Sequence, residues 1–301
     1  MKHYEATPYL LPGCKLGEAP FWDKDHNELR FVDIKAPAIH FVNLEKGPSS
    51  HRCVRLEDCI TVTANVQGNT GDDEFAFAGR HGFGLMDRRT DKVRWIRRMW
   101  AADDPAGNGM RANDGAVDPH GRFFAGAMED GPDPGNRGVL FCLHHDLGLT
   151  RIKERVRIPN GISWGHGYIF FTDSPTRTIV RAPYDVDRAT VDWAASEPFY
   201  VSPQGCVPDG HAVDENGRLW VALYGAGKVV QLDESGQPTS TVSCSTRCVT
   251  CPAICGTRLF ITSATEEEAD KHPWSVKHQG GVFSVDIGLR PRTPNRFVLD
   301  A

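Results

Sequence analysis

Six short apolar runs recur along the chain and constrain its fold more than any other feature. They are LRFVD from Leu29, FAFAG from Phe75, FFAGA from Phe123, IFFTD from Ile169, LWVAL from Leu219 and LFITS from Leu259, spaced by 46, 48, 46, 50 and 40 residues. After each comes a turn and a further run: HFVNLE (40–45), GLMDRR (84–89), VLFCLH (139–144), IVRAPYD (179–185), VVQLD (229–233) and VFSVDIG (282–288). Runs rich in β-branched and aromatic residues, bounded by Gly, Asn, Asp and Pro, read as strands. A period of this length without amphipathic helices is that of a propeller blade, a small antiparallel sheet. The expectation is an all-β, six-bladed β-propeller spanning residues 1–301 as a single domain. Closing the ring leaves no long sheet edge exposed. The N-terminal HYEATPYL is expected to close it by pairing into the last blade.

Polar residues recur in phase with these runs. Asn113 lies ten residues before Phe123, Asn160 nine before Ile169, Asp209 ten before Leu219 and Glu18 eleven before Leu29. Each stands at the head of a short strand that a tight turn joins to the apolar run. If the repeats are related by rotation about one axis, the four side chains meet at one end of it. Carboxylate and amide oxygens meeting at a point suit a hard divalent cation. The turns PHG, GHG and ENG fall at the opposite end, so the loops after the apolar runs return to the polar end. The longest are 128–137 and 263–281, joined on that rim by the connection 101–110.

Composition narrows the class. A net charge of −5 gives no reason to expect nucleic acid or an anionic membrane surface as partner. The basic stretch WIRRMW (95–100) alternates with apolar residues, as a strand with one solvated face does. No apolar run approaches the roughly 20 residues that cross a bilayer, and MKHYEATPYLLPG lacks the apolar core of a signal peptide. The expectation is a cytoplasmic protein with reduced thiols. Cys244, Cys248, Cys251 and Cys255 do not have the spacing of paired zinc motifs and read as buried structural thiols. There is no GxSxG or HExxH motif, and GNTGDD (68–73) lacks the Lys and Ser/Thr of a phosphate loop.

The motifs GEAPFW (17–22), R-x-NDG (111–115), VDPHGRFFAG (117–126), PNG (159–161), FTDS (171–174), PDGHAVDENGRLWVA (208–222) and GGVFSVDIG (280–288) stand in one order along the chain. Together they resemble the senescence-marker-protein/gluconolactonase family, also called regucalcin-like. The resemblance covers residues from about 16 to 290. It implies a six-bladed propeller with one divalent metal in its central channel. It further implies Glu18, Asn160 and Asp209 as metal ligands, and Arg111 and Asn113 as substrate-binding residues. An acidic substrate contact after the second strand of the third blade falls on Glu129 or Asp130, with Glu129 the first choice.

The chemistry this implies is hydrolysis of a sugar lactone to its acid. A divalent cation with open positions polarises a carbonyl, and Asp209 can act as general base on water. Oxygen ligands suit calcium, magnesium or manganese, and a three-ligand site also admits zinc or iron(II). Rival readings are a phosphotriester or other ester hydrolase with the same site, and a calcium-binding regulator without turnover. His211, two residues after Asp209, reads as a packed histidine; Asp173 and Ser174 as turn residues; His81 and Tyr224 as pocket-wall candidates. Asp103, Asp104, Glu129, Asp130, Glu266, Glu267 and Glu268 lie on the three long connections. They are expected to form an acidic surround that disfavours phosphorylated substrates.

Overall fold

The computed structural model describes residues 1–67 and 73–300, so most of the segment 68–73 lies outside the described residues. The fold is all-β: six antiparallel sheets follow one another along the chain, the blades of a six-bladed propeller. The chain divides into two compact units, Met1–Cys59 with Phe199–Thr293, and Ile60–Pro198 with Pro294–Ala301. Each unit contains three of the sheets.

The recurrent apolar runs are the second strands of the sheets: Glu28–Asp33, Glu74–Gly79, Phe123–Glu129, Tyr168–Asp173, Leu219–Tyr224 and Arg258–Ser263. They are buried along almost their whole length. Both faces are covered, so they read as continuous apolar runs instead of alternating ones. Packing there is tight. A Cβ at Gly84 would run into the ring of Phe77 on the neighbouring strand, so only glycine fits that position. The stretch WIRRMW lies mostly in the strand Val93–Arg98, where Trp95 packs edge-on against Phe77 at 5.0 Å and Arg97 and Arg98 are exposed.

The termini depart from expectation. HYEATPYL is not one strand. Thr7–Leu10 pairs antiparallel with Val282–Asp286 in the last blade, as expected. Lys2–Glu5 pairs parallel with Pro238–Ser243 of the preceding blade. At the other end of the chain, Phe297–Val298 pairs parallel with Ile60–Gln67. The one α-helix among the described residues is the single turn Pro273–Val276. No helix among them is long and apolar enough to cross a membrane.

The motifs VDPHGR and VDENGR build the turns. Asp118 is fully buried and accepts from the backbone N–H of His120 and Arg122, from the Arg122 guanidinium at 2.5 and 2.8 Å, and from the Tyr184 hydroxyl at 2.6 Å. Asp214 does the same with Asn216 and Arg218 N–H, Trp220 Nε1 and Gln231 Nε2. Asp118→Ala would leave Arg122 buried without its counter-charge. Breaking a buried pair on one side costs roughly 3–5 kcal/mol. Urea unfolding should register a loss of that size; a change below about 1 kcal/mol would exclude this role for Asp118.

Candidate functional site

All six first strands share one irregularity. The register slips between Glu18 and Phe21, Ile60 and Val62, Ala112 and Gly115, Asn160 and Ile162, Pro208 and His211, and Val249 and Pro252. A β-bulge frees a residue from the ladder and re-aims its side chain. Thr61, Asn113, Asp209 and Thr250 fall inside these slips, and Glu18 and Asn160 are the last paired residues before theirs; these are the four phased polar residues and two threonines. The first strand of each blade therefore carries one polar residue at its register slip.

In the unit built on Ile60–Pro198, the bulge residues are joined by hydrogen bonds. Arg111, buried, donates from Nη1 to Asn113 Oδ1 at 2.7 Å and to Ala112 O at 2.8 Å. Asn113 Nδ2 donates to Asn160 Oδ1 and to Pro159 O, both at 2.9 Å. Asn160 Nδ2 donates to Ser174 Oγ at 2.8 Å. Behind this row, Asp130 accepts from Arg111 Nε at 3.1 Å and pairs with Arg80 at 2.7 Å. Burial opposes the charge on Asp130, yet the two guanidinium groups hold its carboxyl below the usual range. A fork of fixed donors on both Asp130 and Asn113 locks the Arg111 side chain.

Glu129 is placed differently. It pairs across the strands with Met110, whereas Arg111 pairs with Met128. Neighbouring positions point to opposite faces, and Glu129 turns to Arg137 at 2.7 Å. The structure thus brings Asp130, not Glu129, to Arg111. Asp173 and Ser174 also separate. Asp173 accepts the N–H groups of Arg157 and Ile158 as a turn residue, while Ser174 supports Asn160. Asp114 accepts from Gly115 N–H at 2.7 Å, and burial pushes its carboxyl up to about 6.

In the unit built on Met1–Cys59 and Phe199–Thr293, the strand Val249–Cys255 packs against both Gly17–Asp23 and Val207–Val213. Its Thr250 hydroxyl bonds Gly17 O at 2.6 Å and Thr262 Oγ1 at 2.9 Å. Gly210 lies directly on Cys251, where no side chain would fit. Glu18 and Asp209 thus stand at the bulges of the two strands flanking Thr250. Both carboxylates are buried, 8% and 7% exposed. Glu18 Oε2 accepts from the N–H of Ala19, a residue in the left-handed region at φ 46°. Burial first, then Cys248, Glu267 and Asp209, pushes the Tyr224 hydroxyl up. Burial, with a contribution from Arg292, takes His211 down to about 3, so it is neutral at physiological pH.

The long connection 263–281 is tied down. Arg247 grips buried Glu266 with two hydrogen bonds, at 2.5 and 2.9 Å, and holds its carboxyl down to about 2. Ser275 Oγ bonds Thr246 Oγ1 and Arg247 N–H. The expected acidic surround is accordingly reduced by ion pairing. Glu266 and Glu268 pair with Arg247, Glu268 also with Lys271, Glu267 with Lys35, Glu129 with Arg137, and Asp130 with Arg80 and Arg111. Asp104 caps the short turn Pro105–Gly107. Local ion pairs thus offset five of the seven acidic residues that the sequence presents.

Thr61 and Thr250 are the two residues at these slips that carry neither a carboxylate nor an amide. Thr250 lies nine residues before Leu259, the same spacing as Asn160 to Ile169, but carries a hydroxyl. Thr61 lies fourteen before Phe75, because the connection in that blade is longer. Among the described residues, no three His, Cys, Asp or Glu side chains gather where they could hold a metal. All nine cysteines are free thiols, and Cys244, Cys248, Cys251 and Cys255 are buried. The phased candidates for a cation are instead two carboxylates and an amide. Glu18 and Asp209 in one unit and Asn160 in the other each offer a buried side-chain oxygen, the donor type that suits a hard divalent ion.

The order of these motifs is shared with known proteins. Residues 16–265 match the family described as SMP-30/Gluconolactonase/LRE-like region. The chain belongs to this family. Pentonolactonase XacC of Haloferax volcanii is 32% identical over 298 residues, covering 95% of this chain and 96% of the relative. Regucalcin of Gallus gallus is 29% identical over 295 residues, covering 94% and 95%. Among solved structures, a calcium-binding protein, regucalcin, from Agrobacterium tumefaciens superimposes with a TM-score of 0.86 at 23% identity, covering 99% of both chains. That likeness establishes the fold. As a member of the SMP-30/gluconolactonase family, the chain stands among proteins that include sugar lactonases.

Proposed function

We propose that this protein is a metal-dependent lactonase that opens a sugar lactone to the corresponding acid. The observation that carries this reading is the buried Arg111–Asn113–Asn160 row, in a chain whose relatives include a pentonolactonase. A cationic fork next to amide groups suits a ligand with several hydroxyls and a carbonyl oxygen. A protein that only stores calcium has no use for a buried guanidinium beside its oxygen donors.

In this reading Glu18, Asn160 and Asp209 hold one divalent cation, which when bound supplies positive charge to polarise the lactone carbonyl. The chain's own residues do the rest. Arg111 and Asn113 orient the substrate hydroxyls, with Asp130 and Arg80 fixing the guanidinium from behind. Asn160 is kept in one amide orientation by Asn113 on one side and Ser174 on the other. Asp209 takes the proton of the attacking water. The substrate is a neutral aldonolactone of gluconolactone or pentonolactone size.

The test is a panel of aldonolactones assayed on protein stripped of metal and refilled with calcium, magnesium, manganese, zinc or iron(II) singly. Ring opening above the spontaneous rate is expected only after refilling, and with more than one ion. Full activity in the stripped protein would remove the metal from the mechanism. No activity on any lactone with any ion would remove the lactonase reading.

A further inference from the structure

The sheet Gly17–Arg55 carries a cluster of two thiols and two imidazoles that lactone chemistry does not use. His40 sits inside the strand Ala38–Asn43, buried, with its ring stacked on Phe31 at 4.6 Å and 7°. Its partner across the outer strand is Cys53. Cys14, on the segment leading into Gly17–Asp23, reaches the same ring. Cys14 Sγ is 3.9 Å and Cys53 Sγ 4.0 Å from His40 Nε2. On the other edge of the ring, His40 Nδ1 lies 2.9 Å from Nε2 of His51, with the two ring planes parallel to within 4°. Cys53 is exposed and Cys14 is buried.

We propose that this cluster is a hydroperoxide-reactive dithiol, with Cys53 the attacking thiol, Cys14 the resolving thiol and His40–His51 the proton path. Burial first, with help from His51 and Arg55 against Asp33, takes His40 down to about 4, and burial raises the Cys14 thiol; the imidazole is neutral and a weak base, so each thiol proton moves to it only as the S–O or S–S bond forms. With its Nδ1–H donated to His51, it keeps a lone pair on Nε2, the nitrogen that faces both thiols. The nucleophile is the thiolate. Cys53 gives its proton to Nε2 and attacks the peroxide; an S–O bond forms and the O–O bond breaks. The leaving oxygen takes the proton back and departs as alcohol or water. Cys14 then loses its proton to Nε2 and attacks the sulfenic sulfur; an S–S bond forms, the S–O bond breaks and water leaves. Two thiols and one hydroperoxide become one disulfide, one water and one alcohol or second water. Sulfur is oxidised and the peroxide oxygens are reduced.

The bond would join the outer strand to a fastening point. Cys14 N–H donates to Gly280 O at 3.0 Å, and Cys14 O accepts from Thr265 Oγ1 at 3.2 Å. Cys14 thus clamps both ends of the connection 263–281 and precedes Glu18 by four residues. An effect on turnover rests on the lactonase reading; the thiol chemistry does not.

The experiment treats the intact protein with hydrogen peroxide, blocks remaining thiols and maps disulfides by mass spectrometry without reduction. A Cys14–Cys53 link should form before any of the other seven cysteines react. Cys14→Ser should leave a sulfenic acid on Cys53 that dimedone captures. His40→Gln should slow the link at least roughly tenfold, as loss of a general base does, and His51→Gln, at a half-buried position, should slow it less. A first link elsewhere, an unmodified Cys53, or wild-type rates in both histidine variants would overturn the proposal. A protein inactive on every lactone can still give the expected map, so the two readings fail separately.

Discussion

Asp209→Ala should release the metal and abolish lactone opening while leaving the blades folded. Asp209 stands inside the bulge between Pro208 and His211, out of the strand ladder, so alanine there removes no backbone pairing. It removes one of two buried carboxylates from the proposed ligand set. It also removes the proposed base, and general-base help alone is worth roughly 10²- to 10⁴-fold in rate. With the ligand lost as well, the fall should exceed that range at any metal concentration the protein tolerates. Metal content by elemental analysis, ring opening by proton release and circular dichroism read the three parts separately. A variant with wild-type metal content and wild-type rate would falsify the assignment of Asp209. One that loses the metal but recovers full rate in excess ion would keep the ligand role and exclude the base.

Much of this was legible in the sequence, and the reasons differ by element. The second strands stood out because both their faces are buried, so FFAGA and IFFTD are unbroken apolar runs. The phased residues stood out because one bulge recurs at one distance from the turn. Glu18, Asn113, Asn160 and Asp209 share that distance within two residues. Thr250 shares it as well, and was missed only because a hydroxyl is not the expected donor. The termini were less legible. Lys2–Glu5 and Phe297–Val298 join their sheets in parallel, and parallel pairing leaves no hairpin turn in the sequence to mark it. The split of HYEATPYL between two sheets falls at Ala6, whose N–H donates to Ser243 O. No local pattern encodes that.

The choice between Glu129 and Asp130 turned on a single residue of register. A shift of one position moves a side chain to the other face of a strand. Phe123–Glu129 ends at Glu129, and Asp130, whose N–H donates to Gly109 O at 2.7 Å, carries its side chain to the Arg111 face. The acidic surround fell short for another reason. Charges counted along a sequence ignore partners brought in by folding, and Arg247, Arg137, Arg80 and Lys35 are 19, 8, 50 and 232 residues from the acids they neutralise.

Arg111→Ala should separate substrate binding from metal binding. Arg111 is no ligand in the proposed set, and Asn160 keeps its bonds to Asn113 and Ser174 without it. Metal content should therefore stay at the wild-type level. What disappears is a buried cation, held on Asp130 and Asn113, that in the proposed mechanism meets the substrate hydroxyls. Hydrogen bonds to a charged group contribute about 1.5–3 kcal/mol, so kcat/KM should fall roughly 10- to 100-fold. The loss should be largest for lactones with the most hydroxyls. Arg111→Lys is the informative companion. A point charge on a flexible stem cannot hold Asp130 and Asn113 at once, so lysine should restore charge without orientation and recover only part of the loss. Asp130→Asn should act in the same direction and more weakly, because it loosens the guanidinium without removing it. Equilibrium dialysis with the metal, alongside steady-state kinetics on a lactone series, reads both quantities. If Arg111→Ala instead loses the ion and turns over normally once metal is in excess, Arg111 serves the metal site, and the division of roles drawn here is wrong.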